Sequence, residues 1–236
     1  MVDPIEGHTI KRYDGELNHL HGFLLEMGGR VLAQLQEALA AFNERDVLKA
    51  QNVVASDHVI DRMEVQADDE IVKLLARRAP VGGDLRLVMA VSKGISDLER
   101  IGDEAVRIAG LVIHLFGQEG SDPGRQLLRD VHRMAGLAVG ALQDSLKVCE
   151  EWNEAKARQL LDAYRELDEE FQSELRRLMT YVMEDARNVG YAITVVLVIK
   201  SLERIGHHAQ NLAEYVVFQV RGADPRAGGG PAEPGP

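Results

Sequence analysis

The sequence predicts an all-α protein made of two tandem three-helix bundles related by internal duplication. This prediction depends on long stretches of helical apolar spacing, on a scarcity of aromatic residues and prolines, and on one pentapeptide that occurs twice. The chain of 236 residues is 45% hydrophobic but only 5% aromatic, and it contains 7 prolines. An aliphatic core with few chain breaks favours long helices, and no strand–turn–strand pattern is found.

The first half of the chain divides into three helical segments, at about 8–42, 46–78 and 82–116. Apolar residues of the first segment recur in steps of three and four, which places them in one stripe on one helix face. That stripe consists of Leu17, Leu20, Leu24, Met27, Val31, Leu35 and Leu39. Pro80 ends the second segment, because proline lacks the amide hydrogen that a helix interior needs.

The second half repeats this plan, with segments at about 124–151, 154–186 and 188–221. Helices of about 30–35 residues are about 45–50 Å long, which is typical of bundles. We therefore predict one three-helix repeat over 8–117 and a second over 123–221. Residues 222–236 are rich in glycine and proline and have no apolar face to bury, so we expect this tail to be disordered.

The duplicated pentapeptide is the strongest sign of an internal repeat. Leu98–Gly102 has the sequence LERIG, and the same five residues recur at Leu202–Gly206, displaced by 104 positions. Apolar residues around it match at the same displacement: Ile71 with Leu175, Val91 with Val195, and Ile95 with Ile199. An identical pentapeptide inside a shared apolar frame indicates duplication.

Charge and hydropathy exclude several classes of protein. The 27 basic and 38 acidic residues give a net charge of −11, which disfavours direct binding to nucleic acid or anionic lipid. The most hydrophobic stretch, Ala192–Ile199, has eight residues, whereas a membrane-spanning helix needs about 20. The first twenty residues contain no apolar leader, and Cys149 is the single cysteine. We therefore expect a cytoplasmic protein, at most peripheral to a membrane complex.

Two pairs of carboxylates in the first repeat suggest a metal site. Glu99 and Asp103 lie four residues apart, as do Asp57 and Asp61, so each pair shares one helix face. Segments two and three are neighbours in a three-helix bundle, so the two pairs are expected to face each other. Four carboxylates form a hard-oxygen site that suits Mg, Mn, Ca or Fe. The alternative is a solvated acidic face, because such spacings are common on exposed helices.

The second repeat has an altered version of this arrangement. Glu203 and His207 share one face of segment six, and Tyr164 and Asp168 are taken as the counterparts of the aspartate pair in the first repeat. Histidine can still bind Fe, Mn or Zn, whereas Tyr164 is expected to pack in the core. His208 points away from this face and is expected to be solvated.

Several longer strings resemble the PhoU family of phosphate-transport accessory and regulatory proteins. They are DLRLVMA (84–90), LERIGD (98–103), LMTYVMEDAR (178–187) and the second LERIG followed by QNLAEYV (210–216). The resemblance covers nearly the whole chain apart from the tail. It implies paired three-helix bundles and a cytoplasmic homodimer that represses the phosphate-starvation regulon when phosphate is plentiful. The implied partners are the phosphate-sensing histidine kinase and the phosphate ABC transporter, through its ATPase subunit.

The resemblance also implies a multinuclear metal cluster of Fe, Zn, Mn or Mg, bound through Asp/Glu-x-x-x-Asp motifs. These motifs fall on Asp57, Asp61, Glu99 and Asp103 in the first repeat and on Asp168 and Glu203 in the second. Tyr164 and His207 depart from the family pattern. The second site is therefore predicted to be weaker or more selective than the first.

The sequence bears on three other classes of function. Catalysis is not expected, because the sequence has no phosphate-binding loop or nucleophile elbow, and its single Glu-x-x-His spacing, Glu16 to His19, is easily accidental. A DNA-binding repressor is disfavoured by the acidic charge. The remaining alternative is a purely structural helical scaffold whose acidic stripes only keep the surface solvated.

Overall fold

The computed structural model describes residues 11–117, 125–184 and 189–222, and throughout these ranges the regular structure is helical. The helices are α1 (Lys11–Glu44), α2 (Val47–Ser56), α3 (His58–Arg78), α4 (Gly82–Phe116), α5 (Arg125–Glu151), α6 (Glu154–Glu184) and α7 (Val189–Arg221). The predicted all-α fold of two bundles is confirmed. The predicted starts at 8–10, the end of segment five at 185–186 and the tail beyond 222 lie outside the described residues.

Equivalent turns connect the first two helices of each repeat. Arg45 and Trp152 both adopt left-handed backbone conformations, with φ of 58° and 46°. The next residue caps the following helix in each case. The Lys49 amide donates to Asp46 Oδ1 at 2.9 Å, and the Lys156 amide donates to Asn153 Oδ1 at 3.1 Å. The duplication therefore extends to the details of the turn, at a displacement of 107 residues.

Equivalent residues of the two repeats are 107 positions apart at this turn but 104 apart at the pentapeptide. The first repeat therefore has three additional residues between the turn and the pentapeptide. The pattern of buried residues shows where the three additional residues lie. The fully buried Ala50 and Ala157 match at 107, whereas two later pairs of buried residues match at 104. Those pairs are Ile60 with Tyr164 and Ala67 with Phe171.

The three additional residues coincide with a break at Asp57, between α2 and α3. The prediction of one uninterrupted helix over 46–78 was wrong there. Three residues fall short of a helical turn by about 60°, so an unbroken helix would rotate its apolar stripe out of the core. At the break the Ile60 amide donates to the Asp57 carbonyl at 2.8 Å, and His58 Nδ1 bonds the Ala55 carbonyl at 2.8 Å.

The two bundles pack side by side through antiparallel helix pairs. Arg86, near the start of α4, donates to the Gln219 carbonyl near the end of α7 at 3.1 Å. Further along α4, Arg204 Nη1 donates to Glu104 Oε1 at 2.8 Å. The α1–α5 pair is also antiparallel. His21 Nε2 bonds the Cys149 carbonyl near the end of α5 at 3.0 Å, and Asn43 Oδ1 near the end of α1 lies 3.0 Å from Nδ1 of His132 near the start of α5. Equivalent helices of the two repeats therefore meet across an approximate twofold axis.

Cys149 belongs to this core, where its Sγ lies 3.8 Å from the Leu212 carbonyl. Burial raises the pKa of the thiol to about 12, so the group stays protonated at neutral pH. Cys149 is therefore a packing residue of the core. None of the helices described is both long and apolar enough to cross a membrane.

Candidate functional site

The predicted carboxylates of the first repeat lie together on an acidic face formed by Asp57, Asp61, Glu64, Glu99 and Asp103. Burial raises the pKa of Glu99, and the negative charges of Asp103 and Glu64 raise it further. Burial likewise raises the pKa of Asp103, followed by the charge of Asp57. The α4 pair and the aspartates at the start of α3 are thus close enough to oppose each other's ionisation. The expectation that the two pairs face each other is confirmed in this sense.

Arg100 offsets part of this charge. Its Nε lies 3.6 Å from Glu99 Oε2, and its Nη1 lies 3.9 Å from Asp103 Oδ2. Both distances exceed a hydrogen bond, and the arginine side chain is 64% exposed. Water therefore screens the guanidinium, and it compensates the carboxylates only weakly.

Gln34 of α1 holds one of the predicted ligands. Its Nε2 donates to Asp57 Oδ1 at 3.0 Å, and the glutamine itself is buried. Its other amide atom, Oε1, lies in the core without a hydrogen-bond partner. The sequence contained no local signal for this contact, because α1 and the break at Asp57 meet only in the folded bundle.

Gly102, the glycine of the first pentapeptide, allows these helices to approach closely. A Cβ at this position would lie 3.2 Å from Gln34 Oε1 and 3.4 Å from Ile60 Cγ2. A side chain here would push α4 away from α1 and α3. This mid-helix glycine therefore marks a close contact of α4 with α1 and α3.

Glu64 is part of the acidic face that sequence reasoning missed. Ser96 Oγ donates to its Oε1 at 3.3 Å, which places it beside α4. A signal was available, because the displacement of 104 that aligns the pentapeptides pairs Glu64 with Asp168. The same displacement pairs Tyr164 with Ile60, both buried, so Tyr164 is not the counterpart of Asp57.

Tyr164 has the packing role that was expected. Its hydroxyl donates to the Ala141 carbonyl at 3.0 Å and shares a hydrogen bond of 2.9 Å with Ser145 Oγ. Burial is the main cause that raises the pKa of this phenol. A neutral hydroxyl committed to two partners in the core is unsuited to bind a metal.

In the second repeat, Glu203, the glutamate of the second pentapeptide, has partners from its own repeat. Glu203 is buried, and its Oε1 accepts a hydrogen bond from Gln172 Nε2 at 3.0 Å. Its Oε2 is ion-paired with Lys200. His207 is exposed one turn further along α7, and Asp168 lies in α6 with a side chain outside the described part of the structure.

The donor set of the acidic face fits a hard divalent cation. Carboxylate oxygens are the ligands that Mg, Mn and Ca prefer, and a bound cation would relieve the repulsion that raises these pKa values. Among the described residues, no three His, Cys, Asp or Glu side chains already converge as a metal-binding group. The acidic face therefore provides suitable carboxylate ligands, and its side chains would have to rotate to coordinate an ion.

The Glu-x-x-His spacing of α1 has a structural use. Glu16 receives two hydrogen bonds from Arg78, at 2.8 and 2.9 Å, and His19 Nε2 lies 2.9 Å from Glu70 Oε2. The two side chains thus connect α1 to α3, each with its own partner.

The expectation that His208 is solvated was wrong. Its Nδ1 lies 2.6 Å from Oδ1 of Asp97, which is buried between α4 and α7. Asn211 Nδ2 donates to the same oxygen at 3.1 Å, and the Tyr215 hydroxyl donates to Oδ2 at 2.7 Å. Asp97 is therefore a polar link between the bundles, and helical spacing within α7 could not reveal its partner on α4.

Comparison with known proteins assigns both repeats to one domain type. The family model described as "PhoU domain" matches residues 24–112 and 131–216, more than half of the chain. The chain belongs to the PhoU family. Each match contains one copy of the LERIG pentapeptide, so the internal duplication is a duplication of the PhoU domain.

Curated PhoU relatives resemble the chain over nearly its whole length. The PhoU homolog of Pseudomonas putida is 38% identical over 219 residues, which cover 93% of this chain and 84% of the relative. The PhoU protein of Escherichia coli K12 is 33% identical over 223 residues, covering 94% and 91%. Both are described as phosphate-specific transport system accessory proteins or homologs of them.

Solved PhoU structures share the fold. PhoU from Pseudomonas aeruginosa superposes with a TM-score of 0.82 at 36% identity, covering 89% of this chain and all of that one. The phosphate transport system regulatory protein PhoU from Streptococcus pneumoniae gives a TM-score of 0.81 at 26% identity, covering 90% and 98%. The predicted family and the paired-bundle architecture are thus confirmed together.

Proposed function

We propose that this chain is a cytoplasmic accessory protein of a phosphate-specific transport system, which represses phosphate uptake and the phosphate-starvation regulon when phosphate is plentiful. The observation that carries this proposal is the similarity, over at least 93% of the chain, to relatives described as accessory proteins of that system. The role is regulatory rather than catalytic.

Protein partners fit this role better than nucleic acid does. The net charge of −11 repels phosphate backbones, so an effect on transcription has to pass through another protein. We propose that the chain acts as a homodimer, coupling the phosphate ABC transporter, through its ATPase subunit, to the phosphate-sensing histidine kinase. It would thereby remain peripheral to the membrane complex.

We further propose that Asp57, Asp61, Glu99 and Asp103 hold a divalent cation or a multinuclear cluster of Fe, Zn, Mn or Mg. The raised pKa values of Glu99 and Asp103 support this, because burial first and neighbouring carboxylates second disfavour the charged forms, and a bound cation would offset both effects. A bound cation supplies positive charge that joins α3 to α4. Asp168, Glu203 and His207 form the corresponding, weaker site in the second repeat.

The regulatory proposal is tested by deleting the gene and measuring a phosphate-regulated promoter in high phosphate. We expect the promoter to be active in the deletion strain and repressed again by the wild-type gene. Unchanged expression in the deletion strain would contradict the proposal.

The metal proposal is tested by measuring metal content with element-resolved mass spectrometry on tag-free protein purified without chelator. We expect a fixed, near-integer content that is lost in an Asp57→Ala/Glu99→Ala variant. An Asp144→Ala/Glu150→Ala variant removes two exposed carboxylates from α5 and should keep the metal. Negligible metal in the wild type would favour the structural scaffold instead.

A further inference from the structure

We propose that Lys200 is a built-in counter-cation of the second repeat, and that this lysine, in place of Ser96 of the first repeat, decides which repeat takes up metal. The inference rests on the metal binding proposed above for the acidic face. It concerns the selectivity between the two repeats, which share one fold and one pentapeptide.

The two positions are equivalent in the duplication. Glu203 corresponds to Glu99, and Lys200 corresponds to Ser96, at the displacement of 104 that aligns the pentapeptides. Each lies three residues before its glutamate, a spacing that brings side chains together on a helix. Their environments are also similar, because the side chains of Glu203 and Glu99 are 10% and 18% exposed. Carboxylates this well buried require compensation.

That compensation differs between the repeats. In the second, Gln172 occupies Oε1 of Glu203 at 3.0 Å and the Lys200 ammonium occupies Oε2, so both oxygens have a protein partner. In the first, the Ser96 hydroxyl is neutral and donates to Glu64 at 3.3 Å. Glu99 has Arg100 at 3.6 Å and otherwise lies among carboxylates.

A cation that approaches Glu203 must therefore displace an ammonium, whereas a cation that approaches Glu99 meets negative charge that Arg100 compensates only weakly. Lysine is a compact point charge on a flexible chain, so it can stand at a carboxylate much as a metal ion does. The exchange of serine for lysine therefore blocks Glu203, and together with the change from Asp103 to His207 it makes the two repeats unequal in their affinity for metal.

The first test exchanges the two residues in the full-length chain and measures thermal unfolding in chelator. Lys200→Ser should lower Tm by about 2–4 °C, because a buried carboxylate loses its charge partner. Ser96→Lys should raise Tm by a similar amount, because the acidic face gains a cation. Lys147→Ser removes an exposed lysine that pairs with Asp144 at 3.0 Å on α5, and it should leave Tm nearly unchanged.

The second test titrates Mn²⁺ into the same variants. Ser96→Lys should weaken Mn²⁺ binding at least about tenfold, because the ammonium competes for Glu99. Lys200→Ser should bind additional Mn²⁺, using Glu203 and His207 one turn apart. That gain should disappear in the Lys200→Ser/Glu203→Gln variant.

The outcomes separate this inference from the metal proposal. If the wild type binds Mn²⁺ but neither exchange alters the binding, Lys200 does not select the repeat, and the metal proposal survives. If the wild type binds no Mn²⁺, the metal proposal fails at this point. The chelator experiment then decides the role of Lys200: opposite Tm shifts for the two exchanges support a counter-cation, and shifts of the same sign overturn it.

Discussion

At the scale of single residues, the acidic face of the first repeat is a group of carboxylates held at a cost in free energy. The pKa values of Glu99 and Asp103 are raised by burial and then by the negative charges of nearby carboxylates. The folded protein therefore binds protons at these two residues more tightly than the unfolded chain does. The contribution of these bound protons to the free energy of unfolding is fully present below about pH 4, the pKa of these groups in the unfolded chain. It is lost as the pH rises through their higher pKa values in the folded protein. In metal-free protein these two carboxylates should therefore contribute a loss of stability between acidic and neutral pH.

Neutralising the α4 pair should remove this loss. We expect Glu99→Gln/Asp103→Asn to raise the metal-free free energy of unfolding at pH 7 by up to about 1 kcal/mol and to flatten its pH dependence. Urea denaturation in chelator at pH 4 and pH 7 measures both effects. The control is Asp144→Asn, which neutralises an exposed carboxylate of α5. If the Glu99→Gln/Asp103→Asn variant kept the pH dependence of the wild type, this pair would not be its cause.

Gln34 should act on the metal site by positioning Asp57. Gln34→Leu removes the hydrogen bond of 3.0 Å to Asp57 Oδ1, and loss of such a supporting contact typically weakens metal binding about 10- to 100-fold. Calorimetric titration with Mn²⁺ measures this loss, and circular dichroism checks the fold. Gln36→Leu, at an exposed position on the same helix, should bind Mn²⁺ like the wild type. Equal affinity in both variants would rule out the positioning role.

At the scale of helices, α4 is the element on which the first repeat is organised. It carries Glu99 and Asp103 on its acidic face and Gly102 against α1 and α3. Its length, Gly82–Phe116, agrees with the predicted segment, because helical periodicity is a local signal. The helix before it could not be predicted in the same way. Its break at Asp57 comes from three additional residues. The break keeps the apolar stripe against α1 and α4, and this requirement is visible only in the packed bundle.

Two glycines of α4 should respond in opposite ways to alanine. Gly110→Ala should stabilise the protein by about 0.5–1 kcal/mol, because no atom lies within 4 Å of the new Cβ and alanine favours helix. Gly102→Ala should destabilise it by about 1–3 kcal/mol, because the Cβ crowds Gln34 and Ile60. Urea denaturation compares the two. Equal stabilisation by both would show that α4 is not held by close approach at Gly102.

At the scale of the whole molecule, the antiparallel α4–α7 pair joins the repeats into one unit. Asp97 accepts hydrogen bonds from Asn211, Tyr215 and the His208 ring, and Glu104 pairs with Arg204 at 2.8 Å. All these partners belong to the opposite repeat. We therefore expect the two repeats to unfold cooperatively, as a single transition.

Removing the Asp97 link should weaken both repeats together. Asp97→Ala removes the hydrogen bonds from His208, Asn211 and Tyr215 that cross between the bundles, and we expect a loss of about 3 kcal/mol in the free energy of unfolding. Asp144→Ala removes an exposed carboxylate and should cost less than about 0.5 kcal/mol. A variant of Asp97 as stable as this control would mean that the buried carboxylate contributes nothing to the contact between the repeats.

The sequence by itself determined the all-α class, the duplication and the acidic pairs that share a helix face. These features depend on spacings within one helix or on an identical string, and such relations are local. The same reasoning missed Glu64, although the displacement of 104 already paired it with Asp168. Matching the repeats by motif rather than by burial paired Tyr164 with Asp57, which the core position of Tyr164 corrects.

Only the tertiary structure decided which side chains meet across helices. It placed Gln34 on Asp57, His208 on Asp97 and Gln172 with Lys200 on Glu203. Apart from Lys200 and Glu203, these partners lie far apart in sequence, and their pairing depends on how the helices pack and cross. Periodicity shows which face of a helix is buried, but not which residue of a neighbouring helix lies against it. The charge balance of the two repeats therefore differs even though their pentapeptides are identical.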